Sequence, residues 1–161
     1  MGEAGNSIQV DFYGADPVAL RRMASDHGVL DRITANDRVS YRESIDLQMN
    51  ADILLLLQWN DPKELGNVPG KVFEYVAARR PVLGLGPPPD GVPARILRER
   101  GAGVVVNEPE AIAVQLAAWL AEKNEKGVLP LLPETVRDGL SRSDQYAKVE
   151  AFLQEVAGND S

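Results

Sequence analysis

A chain of 161 residues, 44% hydrophobic and 25% charged, has room for one domain of ordinary size and the composition of a folded, soluble protein. The net charge of −7 argues against a general nucleic-acid binder. The absence of cysteine excludes disulfides, thiolate catalysis and cysteine-ligated metals, and the single histidine excludes multi-histidine metal sites.

The first half of the chain alternates between short apolar segments and helical patterns. Residues 8–12 alternate apolar and polar side chains, which predicts a strand with one buried face. A helix is predicted to follow, with Asp16 as its N-cap and Pro17 at its first helical position. A short strand over residues 38–41 and a helix over residues 44–50 come next. The buried face of the first helix is predicted to comprise Ala19, Leu20, Met23 and Ala24.

The second half of the chain contains the clearest strand. Residues 52–57 are almost continuously apolar, which indicates a strand buried on both faces, as in parallel sheets covered by helices. A polar loop over residues 58–70 leads to a helix that starts near Lys71, and residues 81–86 form the next buried strand. The pattern continues with a helix ended by Gly101, a strand over 103–106, a helix entered at 107–109, a loop over 123–133 and an amphipathic helix over 142–156.

This alternation of strands and helices predicts βαβ units. The fold class is therefore α/β, with a doubly wound, Rossmann-like parallel sheet and helices on both faces. Ligands of such sheets bind beyond the carboxyl ends of the strands. The loops expected to form a site are residues 14–17, 41–44, 58–70 and 85–91.

The start of the helix at Lys71 is the most informative segment. Gly70 lets the backbone approach a ligand closely, and the first-turn amides of Lys71 and Val72 would attract a phosphate. Lys71 adds positive charge, and the carboxylate of Glu74, one turn further on, can accept hydrogen bonds from the two hydroxyls of a ribose. The alternative is that Glu74 only complements the helix dipole while Lys71 is solvated.

Three other residues are less informative. His27, at a helix end, is interpreted as a surface or capping residue. Trp119 has the helical spacing of a core residue. Trp59 follows a strand at the ligand edge, where it is interpreted as a packing residue, with covering a sugar or base as the alternative.

From residue 8 to about residue 156, the order of segments resembles the C-terminal, nucleotide-sugar donor domain of retaining, glycogen-synthase-like glycosyltransferases of the GT-B fold. The block PGKVFEY followed by RPV is fairly specific, and the other matching segments are generic for α/β proteins. The segments that carry the resemblance are residues 39–41 (VSY), 49–56 (MNADILLL), 69–78 (PGKVFEYVAA), 80–83 (RPVL) and 101–105 (GAGVV).

The resemblance implies that this domain holds a nucleotide-diphosphate sugar. Glu74 would match the second glutamate of the family's paired-glutamate motif and contact the ribose. Gly70, Lys71 and Val72 would form the helix start near the diphosphate, and Val39 to Tyr41 would lie near the base through backbone atoms. The family needs no tightly bound metal, so neither a metal nor another cofactor is expected, and no catalytic residue is assigned to this chain.

The sequence departs from the family in three ways. Gly66 stands where the first glutamate of the pair would be, and Glu64 is only nearby. The family's basic phosphate-binding pair and its initial strand are missing, as is the acceptor-binding N-terminal domain. Because that initial strand is central in the family's sheet, we expect a gap, closed by re-pairing of the remaining strands, by residues 1–7 or by another chain.

The first interpretation is therefore the donor-binding half of a glycosyltransferase that transfers a sugar to a glycan, lipid or small-molecule acceptor. Residues 8–157 would be a single domain and a fragment of a larger two-domain enzyme, with residues 1–7 as a lead and residues 158–161 as a frayed tail. The fragment alone is expected to be inactive. Its expected partners are a nucleotide-sugar donor, the missing domain and a second copy of the fragment, and no nucleic acid.

Two alternatives stay open: half of a GT-B-like sugar-nucleotide epimerase, and a non-catalytic α/β interaction domain. A receiver domain is disfavoured, because Asp52 begins the buried strand where the phosphorylated aspartate should end one. The longest apolar run, residues 53–57, is too short to cross a bilayer, and residues 1–3 begin no secretory signal. A cytoplasmic location is expected, peripheral at a membrane in a full-length enzyme.

Overall fold

The structure, a computed structural model, describes residues 2–158. The chain divides into two compact units, one formed by residues up to 50 with residues 108–129, the other by residues 51–107 with residues from 130 onward. The first unit contains β1 (Val10–Tyr13), α1 (Pro17–Asp26), β2 (Ile33–Asn36), α2 (Tyr41–Asn50) and α5 (Pro109–Lys126). The second contains β3 (Leu54–Leu57), α3 (Lys71–Ala78), β4 (Val82–Leu85), α4 (Val92–Glu99), β5 (Gly103–Val105) and α6 (Arg142–Gly158).

In the first unit, β1 and β2 form a parallel pair, and α1 connects them. The Asp16 side chain caps α1 by accepting hydrogen bonds from the amides of Val18 at 2.9 Å and Ala19 at 3.2 Å. Pro17 occupies the first turn, where its missing N–H costs nothing. The predicted start of this helix is confirmed.

The predicted strand over residues 38–41 is wrong. The strand that pairs with β1 is β2, four residues that stand in register with residues 10–13. Tyr41 begins α2 instead, because the Ser40 hydroxyl accepts a hydrogen bond from the Glu43 amide at 3.2 Å and so caps the helix. Val39 lies in the irregular segment before this helix.

The predicted inner face of α1 is only partly buried. Ala24 is buried, whereas Ala19 and Met23 are exposed and Leu20 is half-buried. A two-stranded sheet presents little apolar surface, so α1 cannot bury a full stripe of side chains against it.

In the second unit, β3, β4 and β5 form a three-stranded parallel sheet in that order. The α/β fold class is confirmed, with parallel strands flanked by helices. The core of this unit joins side chains of the sheet to those of α3, α4 and the segment that leads to α6. Its buried members are Leu54, Leu56, Val72, Tyr75, Val76, Ala78, Val82, Leu97, Ala102 and Val136.

Within residues 2–158 the strands form two separate sheets, so no six-stranded sheet is present. Two of the three ways in which the sequence predicts a gap in the sheet to be closed are therefore wrong. The described strands do not re-pair into one sheet, and Gly2–Ser7 forms a 3-10 helix that supplies no strand. Closure by another chain stays a prediction. The frayed tail predicted for residues 158–161 lies outside the described residues, apart from Gly158, which ends α6.

Two arginines at helix ends hold the segment that leads to α6. Arg79 ends α3 in a left-handed conformation, with φ of 58°, and its Nε donates to the Leu132 carbonyl at 2.6 Å. Arg79 also pairs with Glu134. Arg100, at the end of α4, donates through Nη1 to the carbonyls of Val136 at 2.7 Å and Asp138 at 3.0 Å. The two helices therefore fix the path of residues 132–138.

Directly after β3 and β4, the backbone at Gly86 lies against the Gln58 carbonyl. The Gln58 amide donates to the Leu85 carbonyl at 3.0 Å, which continues the parallel pairing by one residue. Gly86 has φ of +95°, and a Cβ added there would lie 1.8 Å from the Gln58 carbonyl oxygen. Only glycine fits at position 86 without displacing the backbone.

Replacing Gly86 should therefore destabilise this unit more than replacing another left-handed glycine. Gly101 is the matched control, because its φ is +62° and nothing lies within 4 Å of an added Cβ. We expect Gly101→Ala to lower the free energy of unfolding by about 1 to 2 kcal/mol through backbone strain alone. Gly86→Ala should cost about 1 to 3 kcal/mol more, because the backbone must also move. Urea denaturation followed by circular dichroism measures both free energies of unfolding. Equal decreases in the two variants would contradict the close approach of Gly86 to the Gln58 carbonyl.

Candidate functional site

The start of α3 presents one open amide and one cation. Gly70 has a helical backbone and no side chain to cap the helix, and Lys71 is exposed. The Val72 amide donates to the Pro69 carbonyl at 3.0 Å, and the Phe73 amide donates to the Gly70 carbonyl at 3.1 Å. Within the described residues the Lys71 amide has no acceptor, so it is the first-turn donor that an anion can reach.

Val72 differs from the expectation of two open amides. Its N–H is already engaged in the helix entry, and its side chain is fully buried in the core. Val72 therefore anchors the first turn of α3 against the sheet and leaves Lys71 at the surface. The groups of this turn expected to attract an anion are therefore the Lys71 amide and the Lys71 ammonium.

Glu74 lies one turn into α3 and is half-buried. Its neighbour Tyr75 is buried in the core, and this burial raises the pKa of the Tyr75 hydroxyl. The negative charge of Glu74 raises the Tyr75 pKa further. The carboxylate of Glu74 thus lies at the boundary between the core and the surface of α3, on the same helical turn as the exposed Lys71.

The loop between β3 and α3 is tied together by its own polar side chains. The Gln58 side-chain amide donates to the Asn67 carbonyl at 3.2 Å, which joins the start of the loop to its end. The Asn67 side chain in turn donates to Glu64, the residue nearest to the family's missing first glutamate. The Leu65 carbonyl accepts from the first amide of α4, that of Val92, at 2.8 Å. The loop therefore has a defined path over the carboxyl edge of the sheet.

Two residues at this edge were not singled out by sequence reasoning. Asn107 follows β5, and its side chain accepts from the Gly86 amide at 2.7 Å and donates to the Pro87 carbonyl at 3.1 Å. The Gln58 side-chain oxygen is buried and has no hydrogen-bond partner among the described residues. The sequence feature that could have indicated both residues is a carboxamide side chain after a predicted strand. Such a side chain can bond both a donor and an acceptor of a neighbouring loop.

The two tryptophans do not lie in the core. Trp59 is 80% exposed, so its interpretation as a packing residue is wrong. Trp119 is half-buried on α5, and none of the described residues of that helix is fully buried. His27 is exposed and caps the end of α1 with its backbone amide, as expected of a surface or capping residue.

The six predicted donor-binding residues fall in different compact units. Gly70, Lys71, Val72 and Glu74 are brought together at the start of α3 in the second unit. Val39 is half-buried and Tyr41 is 71% exposed, and both belong to the first unit. None of the six lines the open cavity of about 470 Å³ in the first unit, whose walls are Pro17, Val18, Arg21, Ala35, Asn36 and Asp37.

Residues 2–158 contain no cluster of three or more histidine, aspartate or glutamate side chains arranged to hold a metal ion. Over the same residues, every helix is too short or too polar to span a membrane.

The fold is α/β with parallel strands, as in one Rossmann-like half of a GT-B glycosyltransferase. One solved structure similar to this chain is the crystal structure of the pneumococcal O-GlcNAc transferase GtfA in complex with UDP and GlcNAc. The similarity has a TM-score of 0.61 and 15% identity, and it covers 96% of this chain and 31% of that protein. No protein-family model and no curated protein matches the sequence. At this identity the likeness establishes the fold.

The raised pKa of Tyr75 makes stability fall at alkaline pH. Tyrosines of the unfolded chain lose their protons near the ordinary pKa of 10.0, while folded Tyr75 keeps its proton to higher pH. The unfolded state then binds fewer protons, so the free energy of unfolding decreases as pH rises above about 10. Tyr75→Phe should make this decrease shallower, and Tyr146→Phe, at an exposed position of α6, is the control. Urea denaturation at about pH 9 and pH 11 measures the slopes, and identical slopes would refute the assignment.

Proposed function

We propose that this chain is the donor-binding half of a retaining, glycogen-synthase-like glycosyltransferase and that it holds a nucleotide-diphosphate sugar at the start of α3. The observation that carries the proposal is the juxtaposition at this helix start of an open amide, an exposed lysine and a carboxylate one turn away. The likeness in fold to a glycosyltransferase solved with UDP supports it. The sequence block PGKVFEY supports the same assignment.

The proposed chemistry assigns a separate role to each group. The positive end of α3 and the Lys71 ammonium bind the diphosphate and stabilise the negative charge that develops on it as the sugar leaves. The Glu74 carboxylate accepts hydrogen bonds from the two ribose hydroxyls. Contact of the base with backbone atoms of Val39 and Tyr41, which belong to the first unit, stays a prediction. No metal or other cofactor is required of this chain.

The proposal makes this chain one part of a larger enzyme. The chain spans 31% of the length of the glycosyltransferase that it resembles in fold. A second domain, which binds the acceptor, is proposed to complete the active site, and the chain alone should not turn over a sugar nucleotide. The acceptor class is a glycan, a lipid or a small molecule.

Titration with nucleoside diphosphates tests the proposed site. UDP, GDP, ADP and CDP are titrated by calorimetry into the wild-type chain, Glu74→Ala, Lys71→Ala and the control Glu99→Ala. Glu99 is an exposed glutamate at the end of α4, so its loss should leave binding unchanged. Hydrogen bonds to a charged group contribute about 1.5 to 3 kcal/mol, so Glu74→Ala should weaken binding by about tenfold or more.

Nucleosides without phosphate separate the two roles. Lys71→Ala should weaken the binding of the diphosphates but not that of the nucleosides, whereas Glu74→Ala should weaken both. Each variant is compared with wild type by circular dichroism to confirm folding. Equal binding by wild type and Glu74→Ala, or binding of no diphosphate at all, would contradict the donor-site proposal.

We also propose that the isolated chain self-associates through α6. Every described residue of this helix is exposed, including the apolar stripe of Tyr146, Val149, Leu153 and Val156. The stripe has spacings of three, four and three residues, the pattern of a helix that packs against another helix. It is also symmetric about Ala151. An antiparallel second copy would therefore set Tyr146 beside Val156 and Val149 beside Leu153, an isologous contact.

A charge placed in this stripe should abolish self-association. Leu153→Glu puts a carboxylate at the centre of the proposed contact, and Gln154→Glu adds the same charge at the adjacent residue outside the stripe. Light scattering after size exclusion should give a concentration-dependent dimer for wild type and Gln154→Glu and a monomer for Leu153→Glu. A wild-type monomer at all concentrations would refute the contact.

A further inference from the structure

We propose that Trp59 is the stacking platform for the sugar of the bound donor, an inference that rests on the function proposed above. The first observation is its exposure. An indole buries about 150 to 250 Å² when it packs, and tryptophans are correspondingly buried on average. Trp59 is 80% exposed in a loop whose backbone is otherwise well tied.

The backbone around Trp59 is held in place. The preceding residue, Gln58, is fixed by two hydrogen bonds, from its amide to the Leu85 carbonyl at 3.0 Å and from its side chain to the Asn67 carbonyl at 3.2 Å. Its carbonyl oxygen also faces Gly86, directly after the ends of β3 and β4. Trp59 is thus an exposed aromatic side chain next to an anchored residue, which is the arrangement expected of a preformed contact surface.

One of these hydrogen bonds ties the residue before Trp59 to the segment that enters α3, where the donor site is proposed. Asn67 lies four residues before Lys71, so the bond between Gln58 and Asn67 brings the start of the loop to the entry of α3. Glu74, the proposed ribose contact, follows Lys71 by three residues, on the side of Lys71 away from the loop in chain order. In the proposed arrangement the diphosphate binds at Lys71, and the sugar, which is attached at the end of the diphosphate away from the ribose, extends toward the loop that carries Trp59.

An indole suits this role chemically. The face of an aromatic ring carries partial negative charge, and the C–H groups on one face of a hexose carry partial positive charge. The two faces therefore attract each other, and their contact excludes water. The ring fixes the plane of the sugar and leaves its hydroxyl groups free for other contacts. Trp59 would accordingly position the sugar without contributing to the binding of the nucleotide.

The test compares nucleotide sugars with the corresponding nucleotides. UDP-glucose, GDP-mannose and ADP-glucose are titrated beside UDP, GDP and ADP into the wild-type chain, Trp59→Ala and the conservative variant Trp59→Phe. For the base that binds, Trp59→Ala should weaken the nucleotide sugar by about three- to tenfold and leave the nucleotide unchanged. Trp59→Phe, which keeps an aromatic face, should recover most of the loss.

Fluorescence provides a second readout. The chain has two tryptophans, so in a Trp119→Phe background the emission reports Trp59 alone. The nucleotide sugar should shift the emission of this variant to shorter wavelength, and the nucleotide should not. Circular dichroism confirms that Trp119→Phe is folded.

The outcomes separate this inference from the function on which it rests. Glu74-dependent binding of the nucleotide together with equal affinities of wild type and Trp59→Ala for the nucleotide sugar would overturn the role of Trp59 and leave the donor site standing. An equal loss of nucleotide and nucleotide-sugar binding in Trp59→Ala would also overturn it, since the ring would then contact the nucleotide. Binding of neither ligand would overturn both proposals.

Discussion

The close approach of Gly86 to the Gln58 carbonyl is the constraint on which the proposed site depends. At that point the ends of β3 and β4 leave the sheet, and both loops start from backbone that cannot move independently. Asn107 holds the β4 side by bonding the Gly86 amide and the Pro87 carbonyl. The Gln58 side chain holds the β3 side by bonding Asn67. A site on loops gains precision when its supporting groups are fixed in this way.

Sequence patterns predicted the elements whose signals are local. The cap at Asp16 and the apolar run that became β3 are set by neighbouring residues, and the structure has both. The strand β2 was misplaced although its residues, Ile-Thr-Ala-Asn, alternate apolar and polar, because four residues give only a short signal. Two of them, Ala35 and Asn36, are poor strand formers, and the segment is held as a strand by its pairing with β1. The segment predicted instead contains Ser40, whose hydroxyl caps α2, so a local capping signal outweighed a weak strand pattern.

For the candidate site, sequence reasoning located the helix start but not the state of its donors. Lys71 and Glu74 were chosen because a glycine-led helix with a cation and a carboxylate has a recognisable spacing. That the Val72 amide is engaged by Pro69 depends on the turn geometry at Gly70, which no residue spacing reveals. Trp59 was interpreted as a packing residue on the average behaviour of tryptophan, and its exposure follows from the particular path of the loop.

The arginines that end α3 and α4 have a consequence for how the protein can change over evolutionary time. Arg79 and Arg100 hold residues 132–138 largely through main-chain oxygens, which every amino acid supplies. Apart from the buried Val136, Leu132, which packs against the core, and Glu134, which pairs with Arg79, this stretch can therefore exchange side chains and still follow the same route. Selection would therefore act on Arg79 and Arg100 more strongly than on the side chains of the segment that they hold. Homologues should thus keep the backbone path of this segment while most of its side chains vary.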